Sequence, residues 1–205
     1  MTDHIVRDLA ALEALYGAVG DVSVLKEISW LHTHYAAFIK ASPFVALASA
    51  GPHGLDVSPR GDPPGFVEIA DDRTLMLPDR RGNNRIDTLR NVLADPRVAL
   101  LFLIPGIGES LRVNGTAEIS VDPQLLQRFA MDGRLPRTVL VVHVESVFFQ
   151  CSRALIRSQL WNPDSRLPRG ALPSTGQMLA AVTDQRIDGE TYDRELPSRL
   201  RTTLY

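Results

Sequence analysis

The sequence predicts a mainly β protein with helices at both ends, an antiparallel barrel or sandwich, and three observations predict it. Between residues 43 and 150 the apolar runs are short and separated by turn chemistry such as Gly51-Pro52-His53-Gly54. Few helical stretches intervene there, so neighbouring strands are expected to be antiparallel. Before residue 42 and after residue 151 the apolar spacing becomes helical. The expected organisation is one domain over 1–205, with N-terminal helices over 1–42, a β core over 43–150 and a C-terminal helical extension over 151–205.

Taken in order, residues 3–16 read as a helix capped by Asp3, with Ile5, Leu9, Leu12 and Leu15 along one side. Residues 22–39 resume the pattern as one or two helices, with Leu25, Ile28, Leu31, Tyr35 and Phe38 facing inward. His32 and His34 are two apart and point in different directions on a helix, so a surface role is expected rather than shared chelation. Strands are expected over 44–49 and 55–59, then over 66–69 and 74–77 around Asp71-Asp72. Asn84 has the side chain to cap a helix carrying Ile86, Leu89, Val92 and Leu93, which Asp95-Pro96 ends. The nearly unbroken aliphatic run 98–104 reads as a strand buried on both faces. A glycine turn at 106–108 leads to a strand over 110–120, Asp122 caps a helix over 124–131, and 138–149 is a long strand. Residues 152–160 read as a short helix, 165–176 as an ordered loop, and 176–183 and 190–204 as helices. In the last of these Tyr192, Leu196, Leu200 and Leu204 recur every four residues, a stripe fit to dock on something.

Composition narrows the function. A chain of 205 residues supports one domain with a real core. A formal net charge of -2 argues against a general nucleic-acid binder. The single cysteine, Cys151, excludes an intramolecular disulfide and a multi-cysteine zinc site. No apolar run approaches the roughly 18 residues of a membrane span. Asp3, Asp8 and Glu13 interrupt any apolar leader, so a cytoplasmic location is expected.

The chemistry concentrates in one turn. Arg80, Arg81, Gly82, Asn83, Asn84 and Arg85 stand where a helix would begin, with its unpaired N–H groups and positive dipole end. Guanidinium forks match phosphate oxygens two at a time, so the turn reads as a phosphate site, against the plainer reading of a solvated basic loop. Other motifs lead nowhere. Arg60-Gly61-Asp62 is a coincidental adhesion tripeptide, and Gly106-Ile107-Gly108-Glu109-Ser110 lacks the lysine and length of a P-loop. The histidines lack metal spacing, and the carboxylates are dispersed. If this chain is an enzyme, a cofactor must bring the reactivity.

The order of these pieces resembles the FMN-binding split-barrel family related to pyridoxamine 5′-phosphate oxidase. The resemblance runs over roughly residues 40–150. It rests on Val57-Ser58-Pro59-Arg60-Gly61-Asp62, the strand into Asp79, Asn83-Asn84-Arg85, Asp95-Pro96-Arg97-Val98, and Leu111-Arg112-Val113-Asn114-Gly115. It implies a split β-barrel, antiparallel and Greek-key-like, and an FMN-binding oxidoreductase acting on an unidentified small molecule. By that resemblance Arg60 and Arg85 clamp the FMN phosphate, with Ser58, Gly61, Asn83 and Asn84 beside them. The backbone of Leu77, Pro78 and Asp79 faces the isoalloxazine edge, and Ser110 lies near it. Family members are homodimers with FMN at the subunit interface, so Arg157, Ser158 and Trp161 would reach the flavin of the other subunit, unless Trp161 is simply packed. The tyrosine, arginine and serine that grip pyridoxal phosphate are not seen after the Leu111-Gly115 strand, so the resemblance reaches the cofactor and stops short of that substrate. A flavin- or haem-binding protein without turnover, or an apo barrel serving as a dimerisation module, are the alternatives.

Overall fold

The computed structural model describes residues 4–205, so a cap at Asp3 lies outside the described residues. Helix α1, Leu9–Tyr16, starts instead at Asp8, whose carboxylate accepts the Ala11 N–H at 2.9 Å. The stretch 22–39 is two helices, α2 (Asp21–Leu25) and α3 (Thr33–Ala41). They part because Ile28 is extended, exchanging main-chain hydrogen bonds with Val147 at 3.1 and 2.8 Å. Long-range strand pairing there overrides the helical period. Leu31 is buried and Ile28, Tyr35 and Phe38 pack on the core, but Leu25 is exposed, contrary to its predicted inward face. His32 caps α3, its Nδ1 accepting the His34 N–H at 3.2 Å.

Seven strands follow: β1 (Phe44–Gly51), β2 (Gly54–Gly61), β3 (Glu68–Asp71), β4 (Thr74–Pro78), β5 (Arg97–Leu103), β6 (Ser110–Ser120) and β7 (Val139–Gln150). They form one antiparallel sheet in the order β2-β1-β5-β6-β7-β4-β3. The sheet is not closed by backbone pairing, and β2 and β3 are its edges. It nevertheless curls until the end of β2 meets the segment after β4, where Arg60 pairs with Asp79 and Arg80 with Asp62. Side chains, rather than a hydrogen-bond ladder, join this seam. That is the split barrel.

Val45, Leu47, Leu75, Leu77, Leu100, Phe102, Leu111, Val113, Leu140 and Val142 fill the interior. On β5 only Val98, Leu100 and Phe102 are buried, while Ala99, Leu101 and Leu103 are half-buried. The strand predicted to be buried on both faces therefore has one core face and one partly solvated face, as antiparallel sheets allow. Strands β6 and β7 are long and bulged, with a register shift between Asn114 and Gly115. A Cβ on Gly115 would lie 2.0 Å from the His143 carbonyl oxygen.

Helix α4, Asp87–Ala94, links β4 to β5. Asn84 does not cap it. Asn84 and Ile86 both adopt left-handed backbone (φ 59 and 53), and the helix starts at Asp87 with Ile86 as a cap that makes no side-chain bond. Asparagine tolerates that conformation, whereas a β-branched residue there is strained. Ile86 and Leu93 are consequently exposed, and Thr88 and Asn91 are buried in their stead. Thr88 Oγ1 donates to Asp56 at 2.6 Å, and Asn91 Nδ2 donates to Ser49 Oγ at 3.1 Å.

Asp122 caps α5 (Pro123–Arg128) as predicted, its carboxylate accepting the Gln124 N–H at 2.8 Å. Beyond β7 come α6 (Arg153–Ser158), α7 (Thr175–Val182) and α8 (Gly189–Thr202). Helices α7 and α8 touch where Gly176 meets Gly189, and the Gly176 N–H donates to Asp193 at 2.7 Å. Tyr192 and Leu196 of the predicted stripe are half-buried, but Leu200 and Leu204 are exposed. Among the described residues no helix is long and apolar enough to cross a membrane.

Candidate functional site

A cavity of about 860 Å³ opens at the seam of the barrel. Strand β2 supplies Asp56, Ser58 and Arg60 from one face, since alternate residues of a strand share a side. Gly61, Pro78 and Asp79 complete that wall, and Asn83, Asn84 and Arg85 line the opposite one with the first turn of α4. Arg60 and Arg85, expected to converge, do line one cavity. Arg137, Thr138 and Tyr205 also reach it.

The electrostatics fit an anion held among oriented cations. Five arginines line the cavity (Arg60, Arg80, Arg81, Arg85, Arg137) against four aspartates (Asp56, Asp62, Asp79, Asp87). Three of the aspartates pair with arginines, Asp79 with Arg60, Asp62 with Arg80 and Asp87 with Arg85, while Asp56 accepts from Thr88. Arg60 gives one Nη1 bond to Asp79, and Arg85 Nε donates to Asp87 at 2.7 Å. The hydrogen bond and charge of Asp87 hold the Arg85 guanidinium above its ordinary pKa. Arg137 Nη1 donates to Asn84 Oδ1 at 3.1 Å. Among the described residues two buried side-chain atoms, Arg60 Nε and Thr138 Oγ1, have no hydrogen-bond partner. Leaving such an atom unsatisfied costs about 1–3 kcal/mol. Ile86 offers no side-chain acceptor to the first N–H groups of α4, which favours an anion at the same place.

One corner of the cavity is closed by Tyr205. Its hydroxyl donates to Asp62 Oδ1 at 2.8 Å, while Arg80 Nε donates to the other carboxylate oxygen at 2.6 Å. The Arg80 guanidinium sits 5.6 Å from the Tyr205 ring centroid. The Asp62 hydrogen bond, then burial, then the Asp62 charge raise the phenol above its ordinary 10.0. The folded phenol therefore keeps its proton to higher pH than the unfolded one. This contribution to stability is whole below the unfolded pKa and is lost as pH rises through the folded one. Thermal unfolding followed from about pH 9 to about pH 11 should fall more steeply for the wild type than for Tyr205→Phe. Parallel curves would remove Tyr205 from the account.

Other residues singled out by the sequence lie elsewhere in the chain. Leu77 is buried in the core and Ser110 is buried at the start of β6. Arg157 and Ser158 are on α6, where Ser158 Oγ donates to the Leu155 carbonyl at 3.2 Å. Trp161 Nε1 donates to the Ile107 carbonyl at 2.8 Å and so ties α6 to the β5–β6 turn. None of these five lines the cavity of its own chain. Sequence reasoning missed Thr138 and Tyr205. Thr138 follows Arg137 at the mouth of a predicted strand, a readable hint, but nothing local marks Tyr205.

Residues 31–151 match the family model described as pyridoxamine 5′-phosphate oxidase. The chain belongs to that family. Its solved relatives in structure include HupZ of Group A Streptococcus, at 18% identity and a TM-score of 0.50, covering 59% of this chain and 94% of that one. A putative pyridoxamine 5′-phosphate oxidase from Lactobacillus delbrueckii aligns at 22% identity and a TM-score of 0.46, covering 59% and 95%. An FAD-binding protein from Mesorhizobium loti aligns at 20% and 0.43, covering 60% and 94%. No curated protein matches the chain. The family match takes in the strands and loop that form the cavity walls. In this pyridoxamine 5′-phosphate oxidase relative the match leaves out α1, α2, α6 to α8 and Tyr205.

Proposed function

We propose that this chain binds FMN in the seam cavity and acts as an oxidoreductase on a small molecule. The observation that carries the reading is a seam cavity lined by five arginines, Arg60 and Arg85 among them, in a member of this family. Arg60 and Arg85 hold the phosphate, Ser58, Asn83 and Asn84 add polar contacts, and Gly61 lets the backbone come close. The main chain of Pro78 and Asp79 borders the ring, with Leu77 behind it in the core. The Asp79 N–H is already given to the Thr138 carbonyl at 2.9 Å, so it anchors that border rather than donating to a ligand. When bound, the flavin supplies hydride or electron transfer. The chain supplies grip, orientation and positive charge.

The working unit is a homodimer with FMN at the interface, in which Ser110 sits near the ring and Arg157, Ser158 and Trp161 approach the flavin of the other subunit. Exposed apolar side chains on α1 (Leu9, Leu15 and Tyr16) support a partner surface. The whole chain is one domain, working in the cytoplasm.

The visible spectrum of the purified protein tests the reading. Flavin bands near one per chain are expected, with FMN preferred over FAD, and a dimer in solution. A Soret band would replace flavin with haem, and bands without any reoxidation chemistry would make it a carrier. A colourless protein indifferent to added FMN overturns the proposal.

A further inference from the structure

Helix α8 is lightly held. None of its residues is buried, and it rests on α7 where Gly189 meets Gly176 and where Asp193 accepts from the Gly176 N–H and the Ser174 hydroxyl. Beyond it, Thr203–Tyr205 crosses to the barrel, and Leu204 and Tyr205 line the seam cavity. Tyr205 also borders the smaller space of about 180 Å³ beside that cavity.

The contacts that hold this segment are polar and come from three separate parts of the chain. Arg134 Nη1, in the loop before β7, donates to the main-chain oxygens of Thr202, at 3.2 Å, and of Tyr205. The Tyr205 hydroxyl donates to Asp62, just past β2, at 2.8 Å. Its ring centroid lies 5.6 Å from the guanidinium of Arg80, just past β4. Leu204 is exposed, and no residue of the segment belongs to the hydrophobic core. A segment held by a few hydrogen bonds, with no buried apolar surface, opens far more often than the fold unfolds. It is also fastened to the seam itself, because Asp62 and Arg80 form one of the two clasps that join the barrel edges.

We propose that Thr203–Tyr205 is a strap over one end of the seam cavity, which lifts off Asp62 to let a ligand pass and closes again behind it. Naming FMN as that ligand rests on the reading above; the strap itself does not. Arg134 does not line the seam cavity, so it acts on the ligand only through the strap.

The test follows FMN association and dissociation by stopped-flow flavin fluorescence. Tyr205→Ala and Arg134→Gln should each raise both rate constants by about tenfold and leave the dissociation constant within about threefold, as loss of a gate requires. Unchanged association rates in both variants overturn the proposal. Faster dissociation with unchanged association also overturns it, since Tyr205 would then be a plain ligand contact. A second measurement needs no ligand: fluorine NMR of protein carrying fluorotyrosine, with the Tyr205 resonance assigned from Tyr205→Phe. In Arg134→Gln that resonance should move toward the position of free fluorotyrosine, and an unmoved resonance overturns the strap. If the wild type binds no FMN, that reading fails alone and the fluorine spectrum decides the strap.

Discussion

Arg60→Ala should weaken FMN by about 2–3 kcal/mol, roughly thirtyfold to a hundred-and-fiftyfold in dissociation constant. Arg60 is one of the cavity's least exposed cations, with 17% of its side-chain surface accessible, and Asp79 already orients it. The substitution removes a guanidinium from the cavity wall and also leaves the Asp79 carboxylate without its cation. Both changes act against binding. Arg85 is 75% exposed at its side chain, so Arg85→Ala should cost less than Arg60→Ala. Arg60→Lys should restore the charge but not the two-pronged grip, and fall between alanine and wild type. Flavin fluorescence titration gives all four affinities. Equal binding by Arg60→Ala and wild type would sink the phosphate assignment, whatever the spectrum shows.

The largest effect on stability is expected at Gly115, in the bulge where β6 shifts register against β7. An added Cβ would meet the His143 carbonyl oxygen at 2.0 Å, its carbon at 2.9 Å and the Val144 Cα at 3.3 Å. All three are backbone atoms of the longest strand, so no flexible side chain can swing aside. Relief requires opening the β6–β7 ladder itself. Gly115→Ala should therefore destabilise the fold by about 3 kcal/mol or more. At about 2–4 °C per kcal/mol for a chain of this size, the thermal midpoint drops by roughly 10 °C. Gly82→Ala is the matched control, because a Cβ there meets nothing within 4 Å. Similar midpoints for the two variants would show that the strands give way more easily than their geometry indicates.

How much of this was legible in advance depended on whether the signal was local. The strand run from Phe44 to Gln150 could be read because each strand announces itself by alternation and ends in turn residues. The helix after Arg85 could be read, but not its first residue. Asn84 has the right chemistry for a cap, yet two left-handed residues displace the start to Asp87, and a strained Ile86 leaves no mark in the sequence. That Arg60 and Arg85 share a cavity followed only from family likeness, since no spacing rule brings the end of β2 to the start of α4. The partners of the site were beyond reach for the same reason. Asp79 meets Arg60 because the sheet curls, and Tyr205 meets Asp62 across 143 residues of chain. Such contacts are products of topology, with no periodicity to betray them.

The open edge of the barrel carries a mechanical implication. Two guanidinium–carboxylate clasps, in place of backbone hydrogen bonds, span the gap, and the cavity lies on that line. A molecule gripped from both banks would act as a rivet, adding to the stability of the folded chain as its concentration rises above its dissociation constant.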